Sequence, residues 1–267
     1  MTRRFFVTSM AVITAFGVAW HASAQQAPAS AGPAAPALIE DLVAASRVLA
    51  DQGVVDAYGH VSVRHDRDPN RYLLSRSLAP ALVTADDIME WDLDSTPVDP
   101  RDRTGFIERF IHGEIYKARP DVKAVVHNHS PSVIPFGVTT AQLQPIYHMS
   151  AFLGGGVPVW DIKIAAGEST DILVRSPALG RALAQTLATR PVALMRGHGA
   201  VVVAETVPMV VFRSIYTEMN AKLQAQAMAF GGPVTYLDPE EARKATQNVG
   251  GTISRPWELW KLKAMGA

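Results

Sequence analysis

The chain contains no cysteine. Disulfide staples, thiolate-held metals and a cysteine nucleophile are therefore excluded, and any metal has to be held by histidine or carboxylate side chains. It also lacks an excess of either charge, since 25 Lys and Arg residues balance 25 Asp and Glu residues. Without a basic surplus there is no electrostatic footprint for nucleic acid or for an anionic membrane surface, and neither is expected as a partner. No internal repeat is present. Hydrophobic residues make up 48% of the 267 positions, enough to bury the core of one good-sized domain.

The first residues read as a targeting segment rather than as part of a fold. MTRRFFVTSMAVITAFGVAWHASAQQ opens with Arg3 and Arg4, continues with an apolar stretch from Met10 to Trp20 and reaches Ala22-Ser23-Ala24. That is the layout of a secretory signal peptide, with an apolar part too short to span a bilayer comfortably. Residues 1–24 are thus expected to be removed after about Ala24, leaving a periplasmic protein with no stable membrane anchor. The run Thr2-Arg3-Arg4-Phe5-Phe6-Val7 adds the look of a twin-arginine signal, a route that exports folded proteins. Residues 25–37, QQAPASAGPAAPA, are rich in Ala and Pro and carry no charge, and are expected to form a flexible linker. Residues 38–267 then form a single domain.

Periodicity places strands and helices alternately along that domain. LIEDLVAASRVLADQG has helical spacing and stops at Gly53. GHVSVRHD alternates as a strand, with Val61 and Val63 on one side and His60, Ser62 and Arg64 on the other. YLLSRS reads as a further strand, Thr84-Ala85-Asp86-Asp87 as a helix N-cap, and residues 105–118 as a helix. KAVVHNHS reads as a strand, after which Ser130-Pro131 is expected to open a helix. SPALGRALAQTLATR is a helix, VALMRGHGAVVVA a strand pair or a strand with a glycine-flanked bend, and VPMVVFRSIYTEMNAKLQAQAMAF a long helix. The mixture indicates an α/β or α+β protein.

Three histidines stand out against this background. His127 and His129 lie one residue apart at the end of the apolar run VKAVV. Alternate strand residues point the same way, so the two imidazoles are able to lean onto one metal; two satisfied core or surface histidines fit the spacing equally well. His198 sits between Gly197 and Gly199, beside the apolar strand AVVVA, where the backbone is able to turn sharply and approach closely. A third imidazole completes a site that leaves open positions, which is the catalytic arrangement. Glu108 lies on the helix just before the His127 strand, where a partly buried carboxylate beside a metal is suited to moving a proton. For any single glutamate, a solvated charge paired with Arg109 or Lys117 is the plainer alternative.

Taken together, Gly59-His60-Val61-Ser62-Val63-Arg64, Glu108 with IYKARPDVKAVVHNHS, and RGHGAVVV resemble the class II aldolase/adducin family, over nearly all of residues 40–235. The resemblance implies an α/β fold, a three-layer α/β/α sandwich with a mostly antiparallel central sheet, assembled as a homotetramer. It implies His127, His129 and His198 as ligands of one divalent metal ion per subunit and Glu108 as the acid/base residue. Three imidazoles suit Zn2+, with Mn2+, Co2+, Fe2+ or Ni2+ as alternatives. Members of the adducin branch lack the metal histidines, so their presence here points to an enzyme.

Departures from the family pattern bear on the substrate. Sugar-phosphate aldolases of the family hold phosphate with an Asn after the first glycine, a Thr/Ser-Gly pair and two serines before the acid/base Glu. Here those places hold His60, the stretch Leu74-Ser75-Arg76-Ser77-Leu78, and Phe106 with Ile107. An apolar pair cannot replace hydroxyl donors to a dianion. The expected substrate is therefore an unphosphorylated small-molecule carboxylate, met by Arg76, whose fork suits a carboxylate, and by Ser75, His60, His148 and Tyr216. Packed histidines are the alternative for His60 and His148, and Tyr216 either lines a neighbour's site or is a core or interface tyrosine. That pattern, with SRSLAP, Pro145-Ile146-Tyr147-His148 and EMNAKLQAQAMAFGGPVTYLDPEEA, resembles the decarboxylase branch, which acts on hydroxylated aromatic carboxylates or hydroxy-carboxymuconate-type ring-cleavage acids. The expected reaction is decarboxylation through a metal-stabilised enolate. An aldolase acting on an unphosphorylated hydroxy-keto acid is the alternative, and a non-catalytic adducin-like binding protein the more distant one. His65 and His112 are expected to be structural. The tail RPWELWKLKA reads as a short amphipathic helix whose Trp257 and Trp260 pack on their own subunit, cover a neighbour's site or line the pocket.

Overall fold

The structure, a computed structural model, describes residues 1–2 and 27–266. The expected signal peptide, residues 1–24, lies outside the described residues apart from its first two. Seven strands form one sheet in the order β3-β2-β1-β4-β7-β6-β5. They are β1 (His60–Arg64), β2 (Arg71–Ser75), β3 (Ile88–Asp92), β4 (Ala124–Asn128), β5 (Val159–Trp160), β6 (Val192–Met195) and β7 (Gly199–Ala204). Every neighbouring pair is antiparallel except β5 with β6, so the sheet is mixed. The helices are α1 (Pro36–Asp51), α2 (Phe110–Ala118), α3 (Ile134–Val138), α4 (Lys163–Ala166), α5 (Pro177–Leu187), α6 (Val207–Ala229), α7 (Pro239–Gly250) and α8 (Ser254–Met265). None of the described helices is long and apolar enough to cross a membrane.

The central strands are buried on both sides, and their alternation divides the core in two. Val61, Val126 and Val202 face a cluster with Leu42 and Val48 of α1, Val210 and Ile215 of α6, and Trp257 and Trp260 of α8. Leu74, Val125 and Val201 face the other cluster, with Ile111 and Ile115 of α2 and Leu183 and Leu187 of α5. The C-terminal tail thus packs on its own subunit, against α1 and α6. Strands covered on both faces explain the near-continuous Val and Ala runs of β4, β6 and β7.

Several expectations are corrected. Residues 29–35 are docked rather than flexible: Arg71 donates to the Ala29 carbonyl at 2.9 Å, while Ser30 Oγ and Ala31 N–H donate to Glu90 at 2.6 and 2.7 Å. Their small side chains let backbone groups lie flat on β2 and β3. Thr84 and Asp87 do form a capping box, but it closes only a single 3₁₀ turn, Ala85–Asp87. Chain pairing with β2 wins there, because Met89 and Trp91 alternate into the core. Ser130 caps nothing; its hydroxyl donates to the Val54 carbonyl at 3.2 Å, and α3 starts only at Ile134.

One polar residue is sealed deep in the second layer. His112 on α2 is fully buried. Burial, reinforced by the charge of His127, pushes its pKa down to about 3 from 6.5. The folded ring resists a proton that the unfolded chain accepts below 6.5, so its contribution is complete above that pH and is lost as pH falls towards 3. We expect this group alone to make the protein about 2 kcal/mol less stable at pH 5 than at pH 7.5. Urea unfolding at the two pH values measures the loss, and His112→Asn should flatten the difference.

Candidate metal centre and active site

The ends of β4 and β7 meet where the histidines lie. In β4, Val125 and His127 face the α2 side, and His127 is completely buried. Its Nδ1–H donates to the Ala200 carbonyl of β7 at 3.1 Å. His129 follows just beyond the strand. His198 sits in the tight turn between β6 and β7, after Gly197, whose φ of +64° favours glycine. Gly199 is demanded by proximity: a Cβ there would collide with the Asn128 carbonyl oxygen and the His129 Cα. This close approach sets His198 opposite His129, with their Nε2 atoms 3.0 Å apart.

The tautomers are dictated by the carbonyls. His198 Nδ1 lies 2.8 Å from the Ile172 oxygen and His127 Nδ1 faces the Ala200 oxygen, and a carbonyl only accepts. Both rings therefore carry a proton on Nδ1 and turn Nε2 towards the cluster. His127 Nε2 is buried and has no hydrogen-bond partner. Leaving such an atom unmatched costs about 1–3 kcal/mol. Burial, followed by the charges of His127 and His198, lowers the His129 pKa to about 4, so that ring is neutral at neutral pH.

Glu108 supplies the negative charge. It occupies a 3₁₀ turn before α2 with φ −90° and ψ 17°, the bridge region of backbone space. Its Oε1 accepts the Val174 N–H at 2.9 Å, and its Oε2 lies 3.4 Å from His127 Nε2 and 3.5 Å from His198 Nε2. Burial pushes this carboxyl up, but the charge of His127 and the contacts of His127 and His198 outweigh it and hold the group well below the usual carboxylate range. The four side chains offer ligand atoms all within 4.8 Å of one another. Converging imidazole Nε2 atoms, an orphaned buried nitrogen and an adjacent carboxylate fit a divalent cation, with the Nδ1–H bonds to carbonyls orienting the rings.

The cluster opens into a cavity of about 440 Å³ lined by Tyr58, His60, Ser77, Leu78, Phe106, Ile107, Glu108, His127, His129 and Leu173, among others. His60 is thus beside the cluster, its ring 5.2 Å from that of His127 and 4.4 Å from that of Phe106. The other expected substrate contacts are not brought there. Arg76 is committed to Asp87, with Nε 2.6 Å from Oδ1. Ser75 continues the Leu73 side of β2 and so faces the opposite layer. His148 is exposed at the start of a 3₁₀ turn, and Tyr216 packs on Phe212 and Trp260 in that opposite layer. Ser77 and Leu78 were within reach of sequence reasoning. They follow Ser75 by two and three residues, and because β2 ends at Ser75, the chain beyond it turns into the cavity.

Comparison with known proteins agrees with this geometry. Residues 40–225 match the family described as Class II Aldolase and Adducin N-terminal domain. The chain is 36% identical to decarboxylase tropJ of Talaromyces stipitatus, over 83% of this chain and 92% of that protein. It is 31% identical to 3,4-dihydroxyphthalate decarboxylase of Arthrobacter keyseri, over 80% of this chain and 88% of that protein. Among solved structures, L-fuculose 1-phosphate aldolase from Glaciozyma antarctica shares the fold with a TM-score of 0.72 at 23% identity, covering 88% of this chain and 96% of that one.

Alanine substitution of His127, His129 or His198 should abolish stoichiometric metal binding, read by elemental analysis of purified protein. Chelation should lower the unfolding midpoint of the unaltered protein only. Restoring a metal at about 100 times its Kd should return about 2.7 kcal/mol of stability.

Proposed function

The chain belongs to the class II aldolase and adducin family, and on that footing we propose that it is a divalent-metal-dependent carbon–carbon lyase that decarboxylates a hydroxylated aromatic carboxylate. The observation that carries this reading is the three-imidazole cluster with Glu108 opening onto a largely apolar cavity. The similarity to decarboxylase tropJ and to 3,4-dihydroxyphthalate decarboxylase supports it. Phe106 and Ile107 stand beside Glu108 with no hydroxyl to offer a phosphate, and they suit the face of a ring.

A divalent ion held by His127, His129 and His198, with Zn2+ favoured, would supply Lewis acidity to oxygens near the breaking bond. Glu108 starts as the carboxylate. Its Oε2 takes the proton of a substrate hydroxyl next to the carboxylate and delivers it to the ring carbon that bears the carboxylate. The carbon–carbon bond then breaks, its electron pair returns to the ring and CO2 leaves. A solvent proton restores the hydroxyl. The Val174 N–H on Oε1 keeps the carboxylate turned so that Oε2 is the working oxygen. Phe106, Ile107 and Leu173 keep water from competing.

The test is CO2 release from a panel of ortho-hydroxy aromatic carboxylates by metal-replete protein, beside a chelated control. Metal-dependent release is the expected outcome. An aldehyde product instead of CO2 would move the assignment to an aldolase. Glu108→Gln should retain metal and lose at least about a hundredfold in kcat.

Export belongs to the same proposal. The layout of residues 1–24 supports a periplasmic mature protein, and Lys in place of both Arg3 and Arg4 should block twin-arginine export, read by fractionation. A homotetramer is the proposed assembly.

A further inference from the structure

The side of β1 that faces α2 is polar throughout, carrying His60, Ser62 and Arg64, although the adjoining strands β2 and β4 present Leu74 and Val125 on that side. His60, Ser62 and His112 belong to one buried chain of hydrogen bonds. His60 Nδ1 lies 2.6 Å from His112 Nε2, and His112 Nδ1 lies 2.6 Å from Ser62 Oγ. Ser62 Oγ lies 2.8 Å from the Tyr116 hydroxyl, which donates to the Lys123 carbonyl oxygen at 3.4 Å.

That inner end fixes the polarity, because a carbonyl only accepts. With Tyr116 donating to Lys123, Ser62 donates to Tyr116, His112 Nδ1–H donates to Ser62, and His60 Nδ1–H donates to His112 Nε2. Every donor in the chain is then matched inside the protein. The reverse polarity forfeits the bond to Lys123 and leaves an N–H of His60 to be matched from outside. In the favoured polarity His60 Nε2 carries a lone pair, makes no hydrogen bond to the described residues, and belongs to a ring that lines the cavity.

We infer that His60 is a specificity-determining contact that accepts a hydrogen bond from a substrate hydroxyl, and that His112, Ser62 and Tyr116 are positioning residues that fix its tautomer and orientation. Glu108 serves the hydroxyl that gives up its proton, so the hydroxyl read by His60 is a second one. The substrate class this names is an aromatic carboxylate with two hydroxyl groups. The inference rests on the proposed function only for the kind of ligand; the hydrogen-bond chain stands without it.

Two measurements on the metal-loaded, full-length mature protein test it. In ¹⁵N-histidine NMR at neutral pH, His60 Nε2 should show the unprotonated, pyridine-type signal, and Ser62→Ala should mix its tautomers. In calorimetry, at least one of the 2,3-, 2,4-, 2,5- and 2,6-dihydroxybenzoates should bind about tenfold more tightly than 2-hydroxybenzoate. That advantage should shrink to about threefold or less in Ser62→Ala and Tyr116→Phe at unchanged metal content, and return in Ser62→Thr. A purely structural chain would lower stability in these variants without changing the preference for the second hydroxyl. A proton on His60 Nε2, no advantage for any dihydroxy isomer, or an advantage untouched by the variants would each overturn the assignment. If the variants fold poorly, the tautomer and the ligand preference of the unaltered protein decide. The expected tautomer and preference without CO2 release would count against the lyase reading and leave the role of His60 standing.

Discussion

The contact on which the site depends is a backbone one: Gly199 at the start of β7 against Asn128 and His129 at the end of β4. Strand pairing carries the two chains to this point, with His127 opposite Val201 and Asn128 opposite Ala200. Only a residue without Cβ allows the last step of approach, and it brings His198 over His129. The same pairing supplies the Ala200 carbonyl that holds His127. A second anchor lies in the segment 172–174. Ile172 gives its carbonyl to His198, and Val174 gives its N–H to Glu108. Ile172 holds φ at +59°, an unfavourable conformation for a β-branched residue. Such strain costs on the order of 1–3 kcal/mol and survives where surrounding contacts insist on it. Here the two hydrogen bonds to His198 and Glu108 are the contacts that hold it.

The histidines that the structure brings together were legible in the sequence because their signals are local. An alternating histidine pair at a strand end and a histidine between glycines each have a backbone reason visible in a few residues. The alternation of HVSVR was legible for the same reason, and β1 does turn His60, Ser62 and Arg64 to one side. What the sequence hid depends on long-range partners. Arg76 looks like a free guanidinium until Asp87, eleven residues on, folds back onto it. Ser75 looks like a site residue until the strand register turns it to the far face. Residues 29–35 have the composition of a linker, yet their backbone groups find partners on Arg71 and Glu90, which no periodicity reveals. His112 passes as a structural histidine because its neighbours His60 and Ser62 lie about 50 residues away in sequence.

The buried polar row on β1 carries a cost that apolar residues would avoid. A core position filled by Val or Leu needs no partner, whereas each buried hydroxyl or imidazole nitrogen left unmatched costs about 1–3 kcal/mol. The row is tolerable because its members are matched up to His60 Nε2, at its cavity end. Arg64 reaches the carbonyls of Val122 and Tyr116 at 3.1 and 2.8 Å and stacks on the Tyr116 ring at 4.6 Å. Fully connected networks of this kind hold their members in one arrangement, and partial ones do not. Rigidity is gained where the row reaches the cavity, at His60.

The charge balance of the cavity follows from the same residues. No Lys or Arg is found among the described residues that line it, since Arg76 is neutralised by Asp87 outside it. Glu108 adds a negative charge. A carboxylate substrate would therefore meet net repulsion from the protein alone, in a setting where low polarity strengthens every charge interaction. Under the proposed function, attraction would come from a cation held by the three imidazoles. That metal would serve first to recognise the substrate's charge and only then the chemistry, while the apolar wall of Phe106, Ile107 and Leu78 would meet the ring.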